Sequence, residues 1–402
     1  MRILVVGSGA REHAIAWRAT SADGSVDLHA APGNPGIAAL GHCHPVRAED
    51  ADGLVALART IEADLVVVGP EGPLVAGVAD ALRRGGIAVF GPGAEAARIE
   101  GSKTFAKDVM RAAGVPAAEA LSVARPPCVV KADGLAAGKG VFVCHTSEEL
   151  DEALRAVTAF GGGVVIEELL EGPEVSLFAL SDGRNIVPLP AAQDFKRIGD
   201  GDEGPNTGGM GAYTPVPAVA DVDALVDLVH RPVIDELARR GTPFVGCLFA
   251  GLMLTAEGPR VLEFNARFGD PETQVLMPSL DGNVVDLLLA TATGDLAGVA
   301  APACPVAGVT VVLAAPDYPA RSDYAGAAID GIDEAESAGA LVFHGGTAVR
   351  DGRIVTSGGR ILSVTGTGGT VAEARGHAYA AVEMVSFEGV NFRTDIAAAV
   401  DG

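Results

Sequence analysis

Basic residues are scarce in this sequence: 29 lysines and arginines stand against 52 aspartates and glutamates, a formal net charge of −23 over 402 residues. Non-specific nucleic-acid binding needs a basic footprint, so no nucleic-acid partner is expected. A phosphate-bearing small molecule is still allowed, because local cations can sit in an acidic protein. Cysteine is sparse as well. Cys43, Cys128, Cys144, Cys247 and Cys304 form no CxxC pair and no regular spacing, which fits buried thiols in a reducing cytoplasm better than a disulfide framework. The string "GHCHP" at 41–45 has the look of a metal cluster. Strand neighbours point in opposite directions and no second ligand pair follows nearby, so it reads as a loop. Long apolar runs are missing too. Residues 296–316 carry no charge, but Pro302, Pro305 and Pro316 spoil them as a membrane helix, and they read as a linker running into a strand. The N-terminus opens as a strand instead of a charged segment before an apolar one. No signal peptide, no membrane partner and a cytoplasmic location are therefore expected.

What is present is a globular composition, 49% hydrophobic and 20% charged, over a length that predicts two to four domains. In residues 1–100, "RILVVG", "VDLHAAP", "DLVVVGPE" and "IAVFGP" read as strands separated by helical patterns near 50–62 and 74–85. That alternation predicts a parallel α/β sheet. "GSGAREH" at 7–13 is a Gly-rich strand-to-helix turn without the third glycine of G-x-G-x-x-G. Its backbone N–H groups from Gly9 to Arg11 favour an anion, with Arg11 and Glu12 at the mouth of the sheet. "APGNPG" at 31–36 and "GPEGPL" at 69–74 also follow strands. Ligands in open α/β sheets lie beyond the carboxyl ends of strands, so the three loops either converge on one ligand or are ordinary turns. The first turn alone would also suit a nucleotide- or NAD-binding module without turnover.

Residues 101–115 read as a helix ended by Gly114 and Pro116, with Lys103 near its start. "PCVVKADGLAAGKGVFVC" at 127–144 reads as strand, Gly-rich loop and strand, with Lys131 ending the first strand and Lys139 on the loop beside Gly134, Gly138 and Gly140. Such a hinged loop with two lysines makes a flap for polyphosphate. A helix over 147–157 is expected to begin with a capping box at Ser147. Glu167 and Glu168 end the next strand, where adenine can meet the backbone, and Glu174 stands where a carboxylate can take ribose hydroxyls. Residues 193–215 form a long polar, Gly-rich loop of the kind that is usually functional. Pro259–Gln274 opens as a strand. If the extended form continues, Glu263, Asn265 and Arg267 share one face at steps of about 7 Å. The first two are hard oxygen donors suited to Mg²⁺ held jointly with phosphates, and Arg267 is a cation fit to grip a carboxylate or phosphoanhydride. An edge strand with a solvated polar face is the plainer alternative. Residues 306–402 add further strands, a hairpin at Asp351-Gly352 and a helix, expected to pack on the core and close the cleft.

The strings "GSGAREHA", "VGPEGPLV", "VKADGLAAGKGV", "EGPEVS", "GPNTGGMGAY", "EFNARFGDPETQ" and "FHGGT", in order along nearly the whole chain, resemble the ATP-grasp ligases, and within them the phosphoribosylamine–glycine ligase family. Ser8 and Ala10 stand where that family more often has Asn and Gly, and "FAGLMLT" lacks the further acidic ligand of many ATP-grasp relatives. The resemblance implies an α/β ATP-grasp architecture in three parts: an N-terminal parallel α/β domain (1–100), an ATP-grasp core (101–300) with a mobile lid at about 116–180, and a mixed α/β C-terminal domain (301–402). It implies ATP-dependent joining of glycine to 5-phosphoribosylamine through a glycyl phosphate, with Mg²⁺ or Mn²⁺, by a monomer. Another ATP-grasp ligase or carboxylase acting on a different acid is the rival within the superfamily. By the same resemblance, Lys103, Lys131 and Lys139 face the ATP phosphates, Glu167, Glu168 and Leu169 border adenine and Glu174 holds ribose. Glu263 and Asn265 bind the metal, and Arg267 steadies the glycyl phosphate. Gly9, Arg11, Glu12, Asn34, Glu71, Asp194, Lys196, Asn206, Thr207, Gly208, Gly209, Asp270, Pro271, Glu272 and Thr273 surround the two small substrates.

Overall fold

A computed structural model describes residues 1–21, 26–136 and 139–400. Gly138 of the expected flap lies outside the described residues. The first hundred residues build a five-stranded sheet in the order His42–Cys43, Asp27–Pro32, Arg2–Gly7, Leu65–Val68, Val89–Phe90, parallel throughout. Its inner strands, Arg2–Gly7 and Leu65–Val68, are apolar runs buried on both faces, as a sheet covered by helices requires. The order reverses between those two strands, so the loops after Gly7 and Val68 open the crevice where ligands sit in such sheets. The "GHCHP" string is not wholly a loop: His42 and Cys43 pair as a short edge strand with His29 and Ala30.

An antiparallel eight-stranded sheet runs through the rest of the chain, in the order Gly258–Asn265, Val245–Thr255, Glu174–Asp182, Ile186–Asp194, Gly211–Thr214, Ala307–Ala314, Arg360–Gly368, Leu341–His344. The C-terminal region therefore does more than pack on the core. Gly211–Thr214 hydrogen-bonds directly to Ala307–Ala314, with Gly211 opposite Val311, so one sheet spans both regions. The hairpin signal at Asp351-Gly352 is a real turn, with both residues at positive φ (52° and 74°) between the strands Thr347–Arg350 and Arg353–Ser357.

A small unit stands apart with its own core. Val141–Cys144, Cys128–Ala132 and Val164–Glu168 form a three-stranded antiparallel sheet, packed on the helix Ser147–Val157 through Cys128, Val130, Ala132, Cys144, Leu150 and Ala153. The capping box of that helix sits one residue earlier than expected. Thr146 accepts from the Glu149 N–H at 3.2 Å, and Glu149 accepts from the Thr146 N–H at 3.0 Å, so Ser147 is already inside the helix. The 193–215 stretch also differs from the expected loop. It contains the hairpin Arg197–Gly199/Glu203–Asn206 and the sheet strand Gly211–Thr214. The first two are short strands of polar and glycine residues in a separate two-stranded ribbon, and Gly211–Thr214, although buried inside the large sheet, is only four residues long after a run of glycines. Two short helices, Ala94–Gly101 and Thr273–Ser279, went unread for a similar reason, being about two turns each.

Candidate active site

A cleft of about 480 Å³ lies where the N-terminal sheet, the small unit and the large sheet meet. Its floor is the strand Gly258–Asn265. Glu263 and Asn265 flank buried Phe264, a register shift between Val261 and Glu263 turns Val261 into the core, and both polar side chains face the cleft together with Arg267. Glu263 makes no direct hydrogen bond or ion pair among the described residues. Burial alone would raise its pKa, but Lys103, Lys131, Lys196 and Arg267 surround it and hold it below the usual carboxylate range. It is an ionised carboxylate with its oxygens uncommitted. The Asn265 amide is satisfied when its nitrogen donates to Phe264 O at 3.2 Å and Glu100 Oε1 at 3.3 Å, which leaves its oxygen free. Opposite Glu263 on the neighbouring strand stands Gly251, so no acidic side chain joins from there. Two hard oxygen donors on one strand face fit a Mg²⁺-class ion whose remaining ligands come from phosphates and water. No group of three or more His, Cys, Asp or Glu among the described residues is arranged to hold a metal by itself.

Cations line the adjoining wall. Lys131 is buried, donates to Leu262 O at 2.9 Å and pairs with Glu167 Oε2 at 2.6 Å. Glu167, only 1% exposed, takes Lys107 on its other oxygen at 2.6 Å. Lys107 was not singled out in the sequence, although it lies one helical turn after Lys103 on the same face. Lys103 donates to Gly134 O at 3.4 Å and Lys139 to Ser322 Oγ at 3.1 Å. Lys196 sits between Asp194 (2.6 Å) and Glu174 (3.0 Å). Burial works to lower its pKa, but the carboxylates around it, Asp194 first, raise it well above the usual range. Burial raises Glu174 despite Lys196.

Arg267 anchors the opposite corner, pairing with Glu71 at 3.2 Å and Glu100 at 2.9 Å. Burial would raise Glu71, but Arg267 and Arg11 bring it down to about 2. Glu100 is more deeply buried, and its desolvation outweighs Arg267, lifting it to about 7. Glu100 also accepts from the Ala266 N–H at 2.7 Å, and no sequence pattern marked it. The Gly-rich first turn serves a buried carboxylate. Glu12 accepts from Gly9 N and from Arg11 Nε, each at 2.6 Å. A Cβ on Gly69 would lie 2.1 Å from Glu12 Oε1, and Gly7, at φ +128°, would place one 2.6 Å from Glu12 Cγ. Glycine is needed at both positions.

Of the residues picked from the sequence, the cleft is lined by Gly9, Arg11, Glu71, Lys103, Lys131, Lys139, Glu167, Asp194, Lys196, Thr207, Gly208, Glu263, Asn265, Arg267, Asp270 and Glu272. Others stand behind them. Glu12 holds Gly9 and Arg11. Asn34 donates to Ser8 O at 2.9 Å and His344 O at 2.7 Å. Glu174 holds Lys196, and Thr273 caps Gly269 O at 2.5 Å. Gly209 packs against Pro271. Asn206 donates to Val141 O at 3.3 Å and lines a neighbouring groove instead. The Glu168 side chain turns away to Arg260 at 2.7 Å, and Leu169 is not among the lining residues. Tyr318, Ser322, Arg360 and Ser363 enter the cleft from the C-terminal region, and the sequence reading named none of them.

The chain is similar to known proteins over its full length. The chain is 52% identical to the phosphoribosylamine–glycine ligase of Streptomyces coelicolor, covering 100% of both chains. It is 46% identical to that of Rhizobium meliloti, covering 98% of each. Its fold matches the crystal structure of phosphoribosylamine–glycine ligase from Thermotoga maritima with a TM-score of 0.84, at 35% identity over 98% of this chain and 100% of that one. A biotin carboxylase domain of Hydrogenobacter thermophilus 2-oxoglutarate carboxylase, solved with MgADP and bicarbonate, shares the fold with a TM-score of 0.71 at 19% identity, over 97% of this chain and 91% of that one. Three family models match in sequence: the phosphoribosylglycinamide synthetase N domain over 1–100, its ATP-grasp (A) domain over 101–273 and its C domain over 308–399. Together they cover most of the chain, which belongs to the phosphoribosylglycinamide synthetase family.

Proposed function

We propose that this cleft joins glycine to 5-phosphoribosylamine with ATP, giving glycinamide ribonucleotide, ADP and phosphate. The observation that carries this reading is the uncommitted, ionised Glu263 beside the free Asn265 oxygen, ringed by Lys103, Lys131, Lys196 and Arg267. Lys131, Lys196 and Arg267 are held in place by their own carboxylate partners and Lys103 by a carbonyl, so the cations are fixed around an ionised carboxylate, a setting that suits a polyphosphate bound with its metal ion. The glycine carboxylate oxygen bonds to the γ-phosphorus while the bond to the β–γ bridging oxygen breaks, and ADP leaves. Lys131, Lys103 and Lys139 neutralise the charge on the transferring group, so catalysis is positioning and electrostatics. Glu263 and Asn265 would hold Mg²⁺ or Mn²⁺, which would add positive charge against the phosphate oxygens. The amine nitrogen of phosphoribosylamine then attacks the glycyl carbonyl. Phosphate departs with the proton that nitrogen sheds. Arg267, fixed between Glu71 and Glu100, faces the acyl phosphate. The lysine-bearing flap closes over it and keeps water from hydrolysing it.

Adenine is placed beside Glu167, the one residue of Glu167 to Leu169 that lines the cleft, and ribose near Lys196, which Glu174 holds from behind. The loops carrying Arg11, Glu71, Thr207, Gly208 and Asp270 take glycine and the phosphorylated amine. The protein is read as a cytoplasmic monomer with small-molecule partners only; its net charge of −23 speaks against a nucleic-acid partner. No single helix among the described residues is long and apolar enough to cross a membrane. The test is an ADP-release assay. One ADP per glycinamide ribonucleotide is expected, only with glycine and phosphoribosylamine both present. Equal turnover with bicarbonate or another amino acid in place of glycine would assign the cleft to a different acid.

A further inference from the structure

Two side chains from the last third of the chain grip the cleft at a point where three regions meet. Arg360 opens the strand Arg360–Gly368. Its Nη1 donates to the carbonyl oxygens of Gly208 (2.5 Å), Gly209 (3.4 Å) and Asp270 (2.8 Å), and its Nη2 pairs with Asp270 Oδ2 at 3.2 Å. The Tyr318 hydroxyl accepts from the Gly208 N–H at 2.8 Å. The turn they hold has no slack. A Cβ on Gly208 would lie 3.1 Å from the Tyr318 hydroxyl and 3.2 Å from Arg360 Cζ, and one on Gly209, at φ +107°, would lie 2.4 Å from Pro271 Cδ. A Cβ on Gly9 would lie 3.7 Å from Asp270 Oδ2, so Asp270 stands beside the N-terminal turn. Both gripping side chains also line the cleft.

We propose that Arg360 and Tyr318 are positioning residues of the ligase. They lock the Thr207–Gly209 turn and the Asp270 carboxylate against each other, so that the half of the cleft receiving glycine and the phosphorylated amine is preformed. A planar guanidinium suits the task because its fixed fork can serve several carbonyls and a carboxylate at once, which an ammonium cannot. Pre-organisation of this kind raises affinity by sparing the ordering of a glycine-rich turn on binding. Arg360 makes no hydrogen bond or ion pair with Lys103, Lys107, Lys131, Lys139 or Glu167 among those described, so nucleotide binding does not depend on it; the Tyr318 ring lies 6.0 Å from Lys139 Nζ, and Tyr318→Phe keeps that ring.

The inference rests on the proposed reaction, and the experiment separates the two. Wild-type protein that forms no product from glycine, phosphoribosylamine and ATP sinks the reaction alone. For Arg360→Ala, the KM for glycine or phosphoribosylamine is expected to rise at least tenfold, with the KM for ATP within twofold of wild type. Arg360→Lys is expected to recover only part of that loss. In the ligand-free protein, hydrogen–deuterium exchange of a peptide spanning 206–210 is expected to quicken in Arg360→Ala and in Tyr318→Phe, whatever the reaction. Unchanged exchange in both variants overturns the inference, as does an ATP KM that rises in step with the others, which would mark a general structural role. Should Arg360→Ala fail to fold, Tyr318→Phe carries the same two readouts alone.

Discussion

Replacing Arg267 by methionine separates its electrostatic role from its bulk. The side chain is 16% exposed and is the cation shared by Glu71 and Glu100. Removing one partner of a buried pair costs about 3–5 kcal/mol, because an uncompensated charge stays behind. The cost will depend on pH, and its sign follows from Glu100. Burial raises that carboxyl in the folded protein to about 7, from the 4.5 of an ordinary glutamate. Its contribution to stability is therefore full below pH 4.5 and fades as pH rises through 7. Without Arg267 its pKa rises further, so the proton is retained past pH 7 and ionisation becomes dearer. If the pKa moves beyond 8, one unit of added shift makes the Arg267→Met destabilisation about 1.4 kcal/mol larger at pH 8 than at pH 5.5. Urea unfolding of both proteins at the two pH values measures the difference, and ADP release measures the accompanying loss of turnover. A destabilisation under 1 kcal/mol, or one equal at both pH values, would refute the argument.

Glu263→Gln should lower turnover at least about 100-fold and raise the Mg²⁺ needed for half-maximal rate, and it should also lower the urea midpoint at pH 7, because Lys103, Lys131, Lys196 and Arg267 lose the carboxylate they surround. Wild-type turnover in that variant would remove Glu263 from the metal site. Glu167→Gln leaves two lysines without their shared carboxylate and should cost about 3–5 kcal/mol, whereas Lys107→Met, which leaves Glu167 paired with Lys131, should cost less. The reverse order in urea unfolding would contradict the shared-carboxylate reading. Burial holds His13 at about 3, well below 6.5, so it is neutral in the fold. Its contribution is full above pH 6.5 and is lost as pH falls toward 3, about 2 kcal/mol by pH 5. Stability that is flat from pH 7 to 5 would argue against it. Thr146→Ala should destabilise the small unit by about 1 kcal/mol and Ser147→Ala hardly at all. Equal melting of the two variants would refute the cap.

Much of the active cleft could be read from short spacing. The apolar strands of the N-terminal sheet were plain because buried parallel strands are continuous hydrophobic runs. Glu263 and Asn265 were legible because side chains two apart share a strand face, and their facing the cleft follows from that period. Lys131 and Lys139 were legible from the glycine-rich link between two strands. Lys107 carried a signal, its one-turn spacing from Lys103, that nothing in its own neighbourhood strengthened. Glu100 carried none, because a glutamate on a two-turn helix is ordinarily solvated and only the arrival of Arg267 and the Ala266 amide makes it part of the site.

The amino-acid order alone thus settled the local periods: the longer apolar strands, the glycine-rich turns, and which donors share a face. Tertiary structure decided the pairings between distant segments. Glu167 came to sit between two lysines, Arg267 joined Glu71 to Glu100, and the C-terminal strands extended the core sheet so that Arg360 reached a turn 152 residues away. Periodicity is a property of neighbours along the chain, whereas desolvation and ion pairing depend on what packing brings to a side chain from elsewhere.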